Sequence, residues 1–308
     1  MANQNNMLDL GCSAGLSEGV DDDFVGVIMN FVCALTLVCT ASHIYIHYYN
    51  RHKGAATGVK TEFGMSLGYL FGGLVHGWMA NRASDDDCAS NYFYPVFAIS
   101  YLSMVWSADN WLEVCDHIPF DARTHAKIKD IRFIRRIQKI RKCFIRPTLY
   151  LSAILLFTGA TWCQLFSSVQ FHEGNLDDCA GANPPALCDA MFATGEGIFY
   201  VFWVFVWVVV AMEVSYRELC DTFCDKLLNV LAPLALFVGP GQIFVVSAVA
   251  ILLYGAGGQG QIVGLEWYCH MRVGVTYIIA VLLSHICSTL LMTRVLFKTR
   301  KNSININV

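Results

Sequence analysis

Histidines and carboxylates fall inside strongly apolar stretches of this chain, and their types and spacing limit the chemistry open to it. His43 and His47 stand four apart, so on a helix both rings leave the same face, together with Thr36 and Thr40. Asp109 and Asn110 follow Ser100, Ser103 and Ser107 at helical spacing, and Ser284, His285, Ser288 and Thr289 form a comparable stripe. Polar groups in lipid are costly unless they pair inside a bundle, so these stripes are expected to converge. Imidazoles and a carboxylate in a dry pocket could hold zinc with a fourth position open to water. The same groups could relay protons near neutral pH. A hydrogen-bonded core without reaction chemistry also fits them.

The elements that must position these residues are long apolar runs. The chain has 308 residues, 56% hydrophobic and 15% charged, far greasier than a soluble domain. A hydrocarbon core about 30 Å thick needs roughly 20 apolar residues per helix. Seven runs meet that need, near 24–48, 63–80, 92–114, 148–171, 191–213, 229–255 and 268–297. They are continuous rather than alternating, as helices in lipid require. The expected fold is therefore all-α: a polytopic seven-helix transmembrane bundle with no second domain.

Orientation follows from the loops. Arg51, Lys53 and Lys60, the ten Lys/Arg residues of loop 115–147, and Lys298, Arg300 and Lys301 fall on one side. Asp21–Asp23, Asp85–Asp87, Glu173, Asp177 and Asp178 fall on the other. The positive-inside bias then predicts a polar N-terminus (1–23) outside and a cytosolic tail (298–308). A plasma-membrane or secretory-pathway location is expected, and nucleic acid is not an expected partner.

With these spans, depth sorts the polar residues into layers. At about 1.5 Å per residue, His43, Ser66 and Asp109 lie roughly 9–10 Å to the cytosolic side of their span midpoints, and His285 about 3 Å. These four are expected to share an inner layer, where zinc is one candidate occupant. His76 and Glu196 form a separate outer layer. His76 continues the row Gly64, Gly68 and Gly72, whose spacing marks a close helix–helix interface. Gly239-Pro240-Gly241-Gln242 predicts a kink or break in the sixth span that presents the Gln242 amide to the interior.

The loop 115–147 is the other feature with functional content. Ile128, Ile131, Ile134, Ile137 and Ile140 recur every third residue among the cations Arg132, Arg135, Arg136, Lys139, Arg141 and Lys142. That pattern predicts a helix lying on the cytosolic leaflet, isoleucines dipping into the acyl boundary. It would dock phosphoinositide or a cytosolic protein, or act only as a topology anchor. Among the 13 cysteines, Cys88, Cys179 and Cys188 are disulfide candidates on the oxidising side. Cys143, Cys220 and Cys224 flank the inner surface and suit palmitoylation.

In topology, and in carrying Cys88 before the third span with cysteines in the next outer loop, the chain resembles rhodopsin-like receptors. It departs from them in having Trp111-Leu112-Glu113-Val114-Cys115 where they carry Asp-Arg-Tyr, and no Asn-Pro-x-x-Tyr in the seventh span. Microbial retinal proteins need a lysine inside the last span, and here the first is Lys298, at its cytosolic end. Ceramidase-like intramembrane hydrolases use similar residue types, but His43 and His47 stand on the first span rather than the last. The leading expectation is a receptor or sensor, not an enzyme, that binds a small or lipidic ligand within its bundle. A proton-coupled transporter or channel comes second and an intramembrane zinc hydrolase third.

Overall fold

A computed structural model describes residues 20–80, 90–117, 131–172, 186–216, 219–236 and 282–294. These residues form α1 (Val20–Tyr48), α2 (Ala55–Ala80), α3 (Ser90–Val114), α4 (Ile131–Ile140), α5 (Arg146–His172), α6 (Ala186–Tyr216) and α7 (Phe223–Leu236). Residues 282–294 form α8. A wide π turn, Arg141–Ile145, joins α4 to α5 without a break. Among the described residues there is no strand, so the described chain is all-α. Three stretches within it are long and apolar enough to cross a membrane: Val27–Tyr48, Arg132–Cys163 and Ala190–Ser215. Their outward faces are apolar too, with Leu35, Ile46, Ile154, Phe157 and Leu165 all more than half exposed.

Neighbouring helices run antiparallel. Ser66 of α2 meets Ala34 of α1, and Gly72 meets Asn30. On the other side of α2, Gly68 meets Ser100 and Thr61 meets Ser107, both of α3. Ser152 of α5 meets Gly195 of α6, and Phe144 meets Phe202. α8 lies antiparallel to α7 through Ser284–Ala232 and Arg294–Asp225. It is antiparallel to α2 as well, through His285–Tyr69 and Thr289–Glu62. α3 and α6 run parallel, with Tyr101 on Phe199 and Trp111 on Trp207.

Serine hydroxyls clip these interfaces together. Ser66, Ser100, Ser107, Ser152 and Ser284 each donate across an interface to a backbone carbonyl, at 2.6–2.9 Å. Such bonds need backbones to come close, and glycine makes room. A Cβ on Gly64 would stand 2.7 Å from Cε3 of Trp106, and one on Gly195 would stand 2.8 Å from the backbone nitrogen of Leu156. The Gly64–Gly68–Gly72 row thus packs helix on helix, as small residues do in membrane bundles. The aromatic run of α6 fills the core along one face, with Phe199, Trp203 and Trp207 at most 5% exposed.

The loop expected over 115–147 is helical from Ile131 onward. α4 does not lie apart on a membrane surface. Ile134 and Ile137 are buried against the bundle, at 1% and 4% exposure, rather than dipped into lipid. Ile140 is exposed, and Ile128 lies outside the described residues. The physical reason is the 3.6-residue period: Ile134, Ile137, Arg141 and Ile145 align on one face, and that face finds a protein partner.

Candidate functional site

The expected inner layer does not assemble. Ser66 donates its hydroxyl to Ala34, as an α1–α2 clip. His43 is exposed on α1 and lies tilted against His47, ring centroids 4.5 Å apart, beside a groove between α1 and α8. Asp109 turns toward α5, pairing with Arg146 Nε at 2.7 Å and accepting from the Tyr150 hydroxyl at 3.1 Å. Depth puts these residues at one level, but depth carries no information about which way each face points. Of the four, Ser66 and His285 are buried, at 3% and 4% exposure, but the Ser66 hydroxyl is spent on the α1–α2 contact. Among the described residues no three His, Cys, Asp or Glu side chains are grouped to hold a metal ion. The side chains of His76 and Glu196, and all of Gln242, lie outside the described residues, as do the disulfide candidates Cys88 and Cys179 and the side chain of Cys188.

Around His285 the helices build a different site. His285 Nε2 and the Tyr69 hydroxyl share a hydrogen bond of 2.7 Å, and Trp203 tilts against the imidazole at 5.9 Å. One turn along α8, the Thr289 hydroxyl donates to Oε2 of Glu62 at 3.1 Å. Glu62 is 5% exposed and His285 4%. Both line an internal cavity with Thr61, Met65, Ser107, Ser288, Trp111 and Trp207. As seen by the centre of a water molecule this cavity has about 10 Å³, room for a single water.

The cavity's donor set is its most informative property. The hydroxyls of Ser107 and Ser288 are committed to the carbonyls of Thr61 and Ser284. Among the described residues, the indole N–H groups of Trp111 and Trp207, 4% and 5% exposed, find no acceptor. Their rings lie 4.9 Å apart. A buried donor left unpaired costs about 1–3 kcal/mol, and both of these indoles belong to residues that line the cavity.

A second polar centre sits at the end of the bundle that carries the cations. Arg141 is fully buried within the π turn and bridges two carboxylates. Its Nη1 donates to Glu213 of α6 at 2.8 Å, and its Nη2 pairs with Asp116 beyond α3. Sequence pattern groups Arg141 with the surface cations, and the structure turns it inward. An ion there would otherwise face apolar surroundings, and Glu213, also fully buried, supplies the counter-charge. Nearby, Thr222 and Asp225 cap α7 reciprocally, and Arg294 pairs with Asp225. His52, in the turn between α1 and α2, is pushed below its ordinary 6.5 by burial and then by His117.

Sequence reasoning does not single out Glu62, Tyr69, Trp207 or Glu213, and gives Trp111 no site role. Glu62 stands just before the expected second span, yet α2 starts at Ala55 and carries it inside. The available signal is the row Glu62, Ser66 and Tyr69, spaced four and three apart on one face. No protein-family model, curated protein or solved structure matches the chain.

Proposed function

We propose that this is a seven-span membrane protein, N-terminus outside and C-terminus cytosolic, of receptor or sensor type, in the plasma or a secretory-pathway membrane. It takes a small polar ligand in the cavity between α2, α3, α6 and α8, and engages the cytosolic side through α4. The antiparallel alternation of α1, α2, α3, α5, α6, α7 and α8 supports the serpentine topology. The ion pairs of Arg141, Arg146 and Arg294 cluster at the end that the lysine and arginine bias assigns to the cytosol.

The observation that carries the ligand reading is the pair of unpartnered indole donors on a cavity shared with Glu62 and His285. A site with room for about one water admits anything larger only if the helices part. Occupancy and helix arrangement are then the same event, which is what a sensor needs. The test is a thermal-shift screen of small carbonyl- and carboxylate-bearing compounds on the purified protein. A stabilising compound should lose its effect in the Trp111→Phe, Trp207→Phe double variant; equal stabilisation of both proteins sinks the reading.

A proton-coupled transporter is the second reading, favoured by one carboxyl and one imidazole on the same buried cavity. Its key acid is Glu62, since Asp109 is engaged by Arg146. It requires a proton flux in liposomes that Glu62→Gln abolishes. Orientation is tested by a membrane-impermeant maleimide: Cys143 and Cys224, free and exposed, should label only after permeabilisation.

A further inference from the structure

α4 presents two unlike faces. Ile134, Ile137 and Arg141 are buried, while Arg132, Arg135, Arg136, Lys139 and Lys142 are all exposed. At 100° per residue the buried set centres opposite Arg132, Arg136 and Lys139, so the outward face is a cationic stripe about 10 Å long. Ile134, Ile137 and the Arg141 bridge to Asp116 and Glu213 hold that stripe against the bundle. The cations are therefore arranged before any partner arrives, and little ordering entropy remains to be lost.

The next turns of the same continuous helix decide the partner. Ile140 and Phe144 are 49% and 58% exposed, and beyond them Leu151 and Ile154 are 47% and 61% exposed. Cations therefore give way, within two turns, to outward apolar side chains on a stretch long enough to cross a membrane. That order, charge above and hydrocarbon below, matches a phospholipid with an anionic headgroup and not a free anion, which has no use for the apolar half. We propose that the outward face of α4 and the first turns of α5 form a docking site for a polyphosphorylated inositol phospholipid of the cytosolic leaflet. Arg132, Arg135, Arg136 and Lys139 hold the headgroup phosphates, and Ile140 and Phe144 contact the upper acyl chains. Because Arg141 continues the same helix inward to Asp116 and Glu213, lipid binding bears directly on the ends of α3 and α6.

The proposal rests on the cytosolic orientation of α4, and maleimide labelling of Cys143 tests that orientation separately. The deciding experiment titrates the full chain, in nanodiscs of neutral phospholipid, with a fluorescent phosphatidylinositol bisphosphate. Replacing Arg132, Arg135 and Arg136 together by Gln should weaken apparent affinity on the order of a hundredfold, about fivefold per cation. The same three positions as Lys should retain most of it. Lys53→Gln, on the turn between α1 and α2, with Lys60→Gln, in the second turn of α2, should change it less than about twofold, both being off the stripe. Wild-type affinity in the Gln variant, or equal loss in the control pair, overturns the site. Equal competition by the soluble inositol headgroup overturns its lipid character. If the Gln variant does not purify folded, a wild-type affinity that ignores salt between about 50 and 500 mM overturns it instead.

Discussion

The sharpest prediction concerns Glu213. Its carboxylate and the guanidinium of Arg141 are 0% and 1% exposed as side chains, 2.8 Å apart. Glu213→Ala leaves Arg141 with Asp116 alone, and Asp116 is 31% exposed. Removing one partner of a buried pair costs about 3–5 kcal/mol, mostly because the remaining ion stays desolvated. Glu213→Gln keeps an acceptor and loses only the charge, so its cost should be smaller, about 1.5–3 kcal/mol. Arg141→Met on its own takes the guanidinium from Glu213 and should also destabilise. The double variant Arg141→Met, Glu213→Ala strands nothing buried, since Asp116 reaches water. It should therefore recover at least about 2 kcal/mol relative to the sum of the singles. The assay is SDS-driven unfolding in mixed micelles, followed by tryptophan fluorescence, with the four proteins as a double-mutant cycle. Strictly additive singles, or a Glu213→Ala cost below about 1 kcal/mol, would refute the buried-pair argument.

The close helix contacts make further claims. Gly195→Ala drives a Cβ against the backbone of Leu156, which cannot yield, and should destabilise by about 1–3 kcal/mol in the same unfolding assay. Gly58→Ala meets the flexible thioether of Met292 at 3.3 Å and Ile44 only at an ordinary 3.8 Å, and should cost less than about 1 kcal/mol. Tyr69→Phe removes the hydroxyl bonded to His285 and should cost about 1 kcal/mol, more if the imidazole is left unpaired. His52 sets a pH dependence. Its folded pKa lies below its unfolded value near 6.5, so its neutral form contributes stability above that pH. That contribution is lost as pH falls below 6.5, because the unfolded chain then takes up the proton more readily. Thermal melts from pH 7.5 to 5 should show a decline that His52→Gln reduces; an identical decline in both would count against it.

Part of this architecture is legible because it follows from composition alone. Long apolar runs dictate helices, since lipid leaves no other way to satisfy a backbone. Gly64, Gly68 and Gly72, one turn apart, could only make a close interface, and Trp106, Met104 and Asn30 occupy the space they leave. The cations around Arg132–Lys142 announce an amphipathic helix because helical period and charge are both local properties.

The interior site is not legible, and Asp109 shows why. Sequence fixes its depth but not its azimuth, and one helical step separates Ala108, which lines the cavity, from Asp109, which reaches Arg146. Arg141 shows the same limit. It stands among cations in the sequence, yet it falls on the buried face of its helix and reaches Glu213, 72 residues away. Sequence by itself determined that this chain is helical and membrane-suited, with its basic residues concentrated in the segment 115–147. Only tertiary packing decided that Glu62, His285, Trp111 and Trp207 share one cavity. Burial and partnership of a polar group depend on which helices are neighbours and how each is rotated, and neither is encoded in a single helix's period.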